Sequence, residues 1–69
     1  MRHLIITYMM YNQDEETESS IRLSMRPELA GIVLEGNTFP ALEDALHALA
    51  EMQGYDDVGL DSLIVEEAD

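Results

Sequence analysis

The chain contains no cysteine and no lysine, and it has only three arginines. Without cysteine, neither a disulfide framework nor a thiolate zinc site can support a fold. No apolar run approaches the roughly 20 residues that a helix needs to cross a bilayer. The short apolar run at the N-terminus is interrupted by Thr7 and lacks the small-residue cleavage site that follows a signal peptide. These absences favour a soluble, cytoplasmic protein.

What the chain has in excess is negative charge. Fifteen acidic residues against three arginines give a formal net charge of −12 in 69 residues. Arg2, Arg22 and Arg26 all precede Pro27, whereas eleven of the acidic residues and no Lys or Arg follow it. A field of this sign repels nucleic acid and anionic membranes and attracts basic surfaces. We therefore expect no direct binding to DNA, RNA or phospholipid headgroups.

The periodicity of the apolar residues predicts one small folded domain covering residues 1–69. A hydrophobic share of 46% is too high for a disordered acidic tail. β-branched and aromatic residues in alternation indicate strands, and apolar residues three and four apart between Pro and Gly indicate helices. The predicted elements are a strand over 3–12, a loop over 12–19, a strand over 20–26, a helix from 27 to Gly36, a helix over 40–53, a loop over 55–61 and a strand over 62–66. The inward-facing residues are predicted to be Ile21, Leu23 and Met25 in the second strand and Leu42, Ala45, Leu46, Leu49 and Met52 in the second helix. Residues 31–35 could instead form a short strand, because Gly31 weakens a helix.

This order, ββααβ, predicts an α+β fold with a three-stranded antiparallel or mixed sheet and both helices on one face. The first strand is apolar on both sides, which favours a central position. In a monomer one of its faces would meet water, so Met9 and Tyr11 are candidates for an apolar patch that binds a partner or a second copy. A monomer and a homodimer both remain open.

Motifs for catalysis or for a cofactor are not found. The serines lie in no nucleophile elbow, and there is no glycine-rich phosphate loop. His47 lies four residues from both Glu43 and Glu51, so the three side chains follow one helical stripe. Such a row could bind a divalent metal or act as an acid–base pair, but a solvated helix face is the simpler interpretation. We therefore expect no enzyme activity, no metal and no cofactor.

The acidic residues of the second helix and of the loop after it could form a protein-binding surface. A basic groove that neutralises phosphates can also be filled by carboxylates held on a folded surface. Eight residues separate Glu43 from Glu51, which is roughly 12 Å along a helix and near two phosphate steps of one strand. The candidate partner-binding residues are Glu43, Asp44, Glu51, Asp56, Asp57 and Asp61.

In its length, its acidity and its lack of a catalytic motif, the whole chain resembles the small acidic inhibitors that phages encode, which include DNA mimics and anti-CRISPR proteins. These inhibitors share no common motif, so the resemblance transfers no residue roles. It implies a stoichiometric inhibitor that occupies the nucleic-acid site of a bacterial effector. The alternative is a small dimeric or adaptor module that binds through the apolar sheet face, with the charge serving solubility.

Overall fold

The computed structural model describes residues 1–68 and confirms the α+β fold. The elements are β1 (Arg2–Tyr11), β2 (Glu16–Met25), α1 (Pro27–Leu34), α2 (Pro40–Met52), β3 (Asp57–Val58), a 3₁₀ turn (Leu60–Ser62) and β4 (Ile64–Ala68). The predicted last strand is displaced by two residues, and part of the predicted loop before it forms the short strand β3.

β1 is the central strand of an entirely antiparallel sheet. β2 pairs with it along its whole length, from Arg2 opposite Met25 to Tyr11 opposite Glu16. β3 and β4 share the other side, with β4 opposite residues 3–7 and β3 opposite residues 10–11. The sheet therefore has four strands rather than three, because the 3₁₀ turn interrupts the last strand.

The hairpin between β1 and β2 is much tighter than predicted. The backbone N–H of Asn12 donates to the carbonyl of Glu15 at 3.0 Å. The side-chain oxygen of Asn12 accepts hydrogen bonds from the backbone N–H groups of Asp14 and Glu15, a turn device typical of asparagine. The turn therefore needs only two residues between Asn12 and Glu15. The prediction of a loop over 12–19 was wrong for residues 16–19, which belong to β2.

Both helices begin at a proline and are followed by a glycine with positive φ, as the sequence predicted. Pro27 and Pro40 occupy the first helical turns, where the missing N–H costs no hydrogen bond. Gly36 and Gly54 have φ values of 93° and 90°, which side-chain-bearing residues rarely adopt. The alternative of a strand over residues 31–35 is therefore wrong. No helix among residues 1–68 is long and apolar enough to cross a membrane.

The core lies between one face of the sheet and the two helices. β1 contributes alternate buried side chains, and α2 contributes a line at intervals of four residues; the buried set is Leu4, Ile6, Tyr8, Met10, Met25, Ala30, Val33, Leu42, Leu46, Ala50 and Val58. Met25 is buried as predicted. The predicted inward positions of Ala45 and Met52 are wrong, since Ala45 is exposed and Met52 is 83% exposed. The buried line of α2 instead ends at Ala50.

Candidate acidic interaction surface

The three arginines lie in the half of the sheet away from the hairpin turn. Because β2 runs antiparallel to β1, the start of β1 lies beside the end of β2, with Arg2 opposite Met25. Arg26 follows directly, and Arg22 is opposite Ile5. The molecule is elongated, with extents of 37 × 22 × 19 Å. Positive charge is therefore confined to one part of an extended surface.

Five exposed acidic residues gather at the hairpin end of the sheet. Tyr11, the last residue of β1, pairs with Glu16 on one side and with Asp57 on the other. Two strand spacings separate these acidic residues, which is roughly 10 Å between their backbones. We call this group the acidic end; its members are Asp14, Glu15, Glu16, Asp56 and Asp57, all exposed.

Tyr55 joins the two chain segments that form the acidic end. Its backbone N–H donates to the carbonyl of Ala50 at 2.9 Å, where α2 ends. Its hydroxyl lies 2.7 Å from the hydroxyl of Thr17 and donates to Glu15 Oε2 at 3.3 Å. The next residue, Asp56, donates its N–H to the carbonyl of Tyr11 at 2.9 Å. These bonds hold the loop after α2 against the hairpin, so acidic residues 40 positions apart in the chain become neighbours.

The acidic residues of α2 differ in exposure. Asp44 and Glu51 are exposed, whereas Glu43 is half-buried and its carboxylate accepts a hydrogen bond from the Thr38 hydroxyl. Glu43 therefore also anchors the chain that enters the helix. His47 is half-buried as well, beside the buried line of α2. Within residues 1–68 no group of three or more His, Cys, Asp or Glu side chains is arranged to hold a metal ion.

Asp61 lies apart from the acidic end. It is an exposed residue of the 3₁₀ turn and lines a pocket of about 130 Å³ between this turn, the end of α1 and β4. The remaining walls are formed by Val33, Gly36, Asn37, Leu60, Leu63 and Val65. The structure thus brings Asp56 and Asp57 together with the hairpin, while Asp61 lines a separate pocket.

No helix formed by residues 1–68 packs on the second face of the sheet. Met9 and Tyr11 lie on this open face and are half-buried, each beside an acidic residue of β2, Glu18 and Glu16 respectively. The most exposed apolar side chains of this face are Ile5, at 36%, and Ile64, at 58%. The exposed apolar area is therefore centred nearer the arginines than the sequence suggested.

The sequence analysis missed three members of the acidic end: Asp14, Glu15 and Glu16. Asn12 was the available signal, because asparagine at a strand end often closes a tight turn. A two-residue turn would have placed Glu16 opposite Tyr11. Their proximity to Asp56 and Asp57 depends on the tertiary contacts of Tyr55, which no local pattern encodes.

Comparison with protein-family models, with curated proteins and with solved structures gives no match in any of the three. The interpretation of the surface therefore depends on its own geometry and charge.

Proposed function

We propose that the protein is a stoichiometric inhibitor that mimics nucleic acid and blocks the basic DNA- or RNA-binding groove of a bacterial effector in the cytoplasm. The observation that supports this proposal is the segregation of charge. The five exposed carboxylates of the acidic end lie at the opposite end of the β1–β2 pair from Arg2 and Arg26, and α2 carries the exposed Asp44 and Glu51 but no Lys or Arg.

The elements that carry these carboxylates favour the same role. Glu16 lies in β2, Asp57 in β3, and Asp44 and Glu51 in α2. Side chains on regular, hydrogen-bonded backbone lose less conformational freedom on binding than side chains on a disordered tail. Roughly 10 Å separates the backbones of Glu16 and Asp57 across Tyr11, and the seven residues from Asp44 to Glu51 also span roughly 10 Å along α2. A groove of Lys and Arg side chains would meet a fixed pattern of negative charge.

The test compares charge-reversed variants with a matched control. One variant reverses the acidic end with Asp14→Lys, Glu16→Lys and Asp56→Lys; a second reverses α2 with Asp44→Lys and Glu51→Lys. The control, Glu28→Lys with Glu35→Lys, makes the same charge change as the α2 variant on exposed positions at or after α1. Tagged proteins are used to capture partners from bacterial lysate, with washes of rising salt and with competing duplex DNA.

We expect the wild type and the control to retain a nucleic-acid-binding protein that moderate salt or duplex DNA releases, because such contacts are screened and exchange with phosphates. At least one of the two reversed variants should lose it while its circular dichroism stays that of the wild type. Retention of the same partner by all four proteins would contradict the proposal.

The second candidate function is an adaptor that binds through the open sheet face. The exposed side chains of Ile5 and Ile64 favour it. In the same capture experiment this function requires a partner that high salt does not release and that all the charge variants keep. Binding would then be abolished by Ile64→Asp or Met9→Asp.

A further inference from the structure

β2 forms one edge of the sheet. It pairs with β1 on one side, and no strand among residues 1–68 pairs with its other side. Its ten residues contain no proline, glycine or lysine, and its register with β1 has no bulge. Of the features that hinder an edge strand from pairing with another chain, β2 has only charged side chains, Glu16, Glu18 and Arg22.

The hydrogen bonds of the hairpin define which backbone groups of β2 point away from β1. The bond from Asn12 N–H to Glu15 O fixes the alternation of the antiparallel ladder. On the side of β1 away from β2, Tyr11 O accepts from Asp56 N–H and Met9 O accepts from Gly59 N–H. The odd-numbered residues of β1 therefore direct their backbone groups away from β2, and their partners in β2 direct theirs away from β1. The residues of β2 whose N–H and C=O groups point outward are therefore Glu16, Glu18, Ser20, Arg22 and Ser24.

We propose that two copies of the chain pair through β2, antiparallel and edge to edge, around a two-fold axis at Ser20. In this register Ser20 faces Ser20 of the second copy, Glu18 faces Arg22, and Glu16 faces Ser24. All five outward-facing residues of each copy are then paired, which gives about ten backbone hydrogen bonds. The two Glu18–Arg22 pairs lie on the open face with Cβ atoms about 5 Å apart, a distance at which opposite charges stabilise a strand pair.

Charge complementarity selects this register over its neighbours. An axis at Glu18 or at Arg22 would place identical charges opposite each other. An axis at Ile21 would pair Arg22 with Ser20 and Glu18 with Ser24, and its one opposite-charge pair, Glu16 with Arg26, would involve a residue beyond the end of β2. An axis at Ser19 would pair Glu16 with Arg22, but it would leave the outward groups of Ser24 without a strand partner.

The helix side of the sheet is compatible with this pairing. The main contacts of the helices with the sheet are with β1, β3 and β4. Ile21 and Leu23 of β2 are only half-buried on that side. In the dimer they face Ser19 and Thr17 of the second copy, so the pairing extends the apolar layer across the axis. The charge of −12 on each copy opposes association, so measurements belong at physiological salt, where the Debye length is about 8 Å.

The test is sedimentation velocity from micromolar to millimolar protein. We expect a reversible monomer–dimer equilibrium that Glu18→Arg or Arg22→Glu alone weakens by roughly tenfold or more, because each creates two like-charge pairs. The double variant, with Glu18→Arg and Arg22→Glu together, should restore association because it exchanges the two charges of each pair. Glu28→Arg and Arg26→Glu, which make the same charge changes at exposed positions outside β2, are the controls.

A backbone variant tests the axis itself. Ser20→Pro removes an outward-pointing N–H, which an edge strand tolerates in a monomer. We expect it to keep the wild-type circular dichroism and to stay monomeric. A wild type that remains monomeric up to millimolar concentration, a double variant no better than the single ones, or a dimer that survives in folded Ser20→Pro would each overturn the proposal.

Discussion

At the scale of single residues, the pair of Arg2 and Glu67 is the clearest electrostatic contact. Arg2 Nε donates to Glu67 Oε2 and Arg2 Nη2 donates to Oε1, both at 2.7 Å. This bidentate ion pair joins the first residue of β1 to β4. The hydrogen bond from Arg2 lowers the pKa of the Glu67 carboxyl, and the bond to Glu67 raises the pKa of Arg2.

The pH dependence of this pair follows from the lowered pKa of Glu67. A carboxyl whose pKa is lower in the folded state contributes stability above its unfolded pKa and loses that contribution as pH falls through the folded pKa. Both side chains are solvent-exposed, so the contribution is small. Carbon-detected NMR titration should show Glu67 titrating below the usual glutamate range, and Arg2→Gln should move its pKa back up. An unchanged titration in Arg2→Gln would mean that the pair does not form in solution.

At the scale of elements, Gly59 shows how the end of the sheet is fitted together. A Cβ atom at this position would lie 3.0 Å from Ser62 Oγ and 3.1 Å from Cε2 of the Tyr11 ring. We expect Gly59→Ala to lower the free energy of unfolding by about 1 kcal/mol, because the ring or the 3₁₀ turn must shift. Gly31→Ala is the matched variant, since nothing lies within 4 Å of its Cβ position inside α1.

Gly31→Ala should stabilise the protein by about 0.5–1 kcal/mol, because alanine loses less backbone entropy in a helix. Urea unfolding of both variants measures the two effects with opposite signs. If both substitutions changed the free energy of unfolding by the same amount, the Tyr11 ring would move away from the new Cβ atom at position 59 without loss of stability.

The elements differ in how far the sequence could predict them. α1, α2 and most of β1 carry their own signals: a proline start, a glycine end and a regular apolar period. The first half of β2 carries none, because Glu16, Thr17, Glu18 and Ser19 become extended only through pairing with β1. Met52 was wrongly predicted to face inward, because α2 passes the edge of the core before this residue. Whether a periodic position is buried depends on where the sheet ends.

The sequence could likewise place only some residues of the candidate site. The sequence located Asp44 and Glu51 on the exposed side of a helix, because the helical period determines that side. It could not place Asp56 next to the hairpin, because that proximity requires the bonds from Tyr55 to Thr17 and from Asp56 to Tyr11. The surface is a product of tertiary contacts between segments far apart in the chain.

At the scale of the whole molecule, the charge of −12 acts on stability as well as on binding. At 0.01 M ionic strength the Debye length is about 30 Å, which exceeds the two shorter extents of 22 and 19 Å. Nearly all the carboxylates then repel one another across the fold. At 0.15 M the length falls to about 8 Å, so only near neighbours interact.

We therefore expect the thermal midpoint to rise as sodium chloride increases from 0.01 M to 0.15 M, an expectation that follows from the screening lengths. The acidic-end variant with Asp14→Lys, Glu16→Lys and Asp56→Lys should have a higher midpoint at low salt and a smaller rise, because its net charge is −6 instead of −12. A midpoint that falls with salt would show that attractive pairs such as Arg2–Glu67 outweigh repulsion. Over the same salt range, binding to a basic groove should weaken. If salt raises the thermal midpoint while it weakens binding, the weaker binding results from screening of the charged interface and not from unfolding.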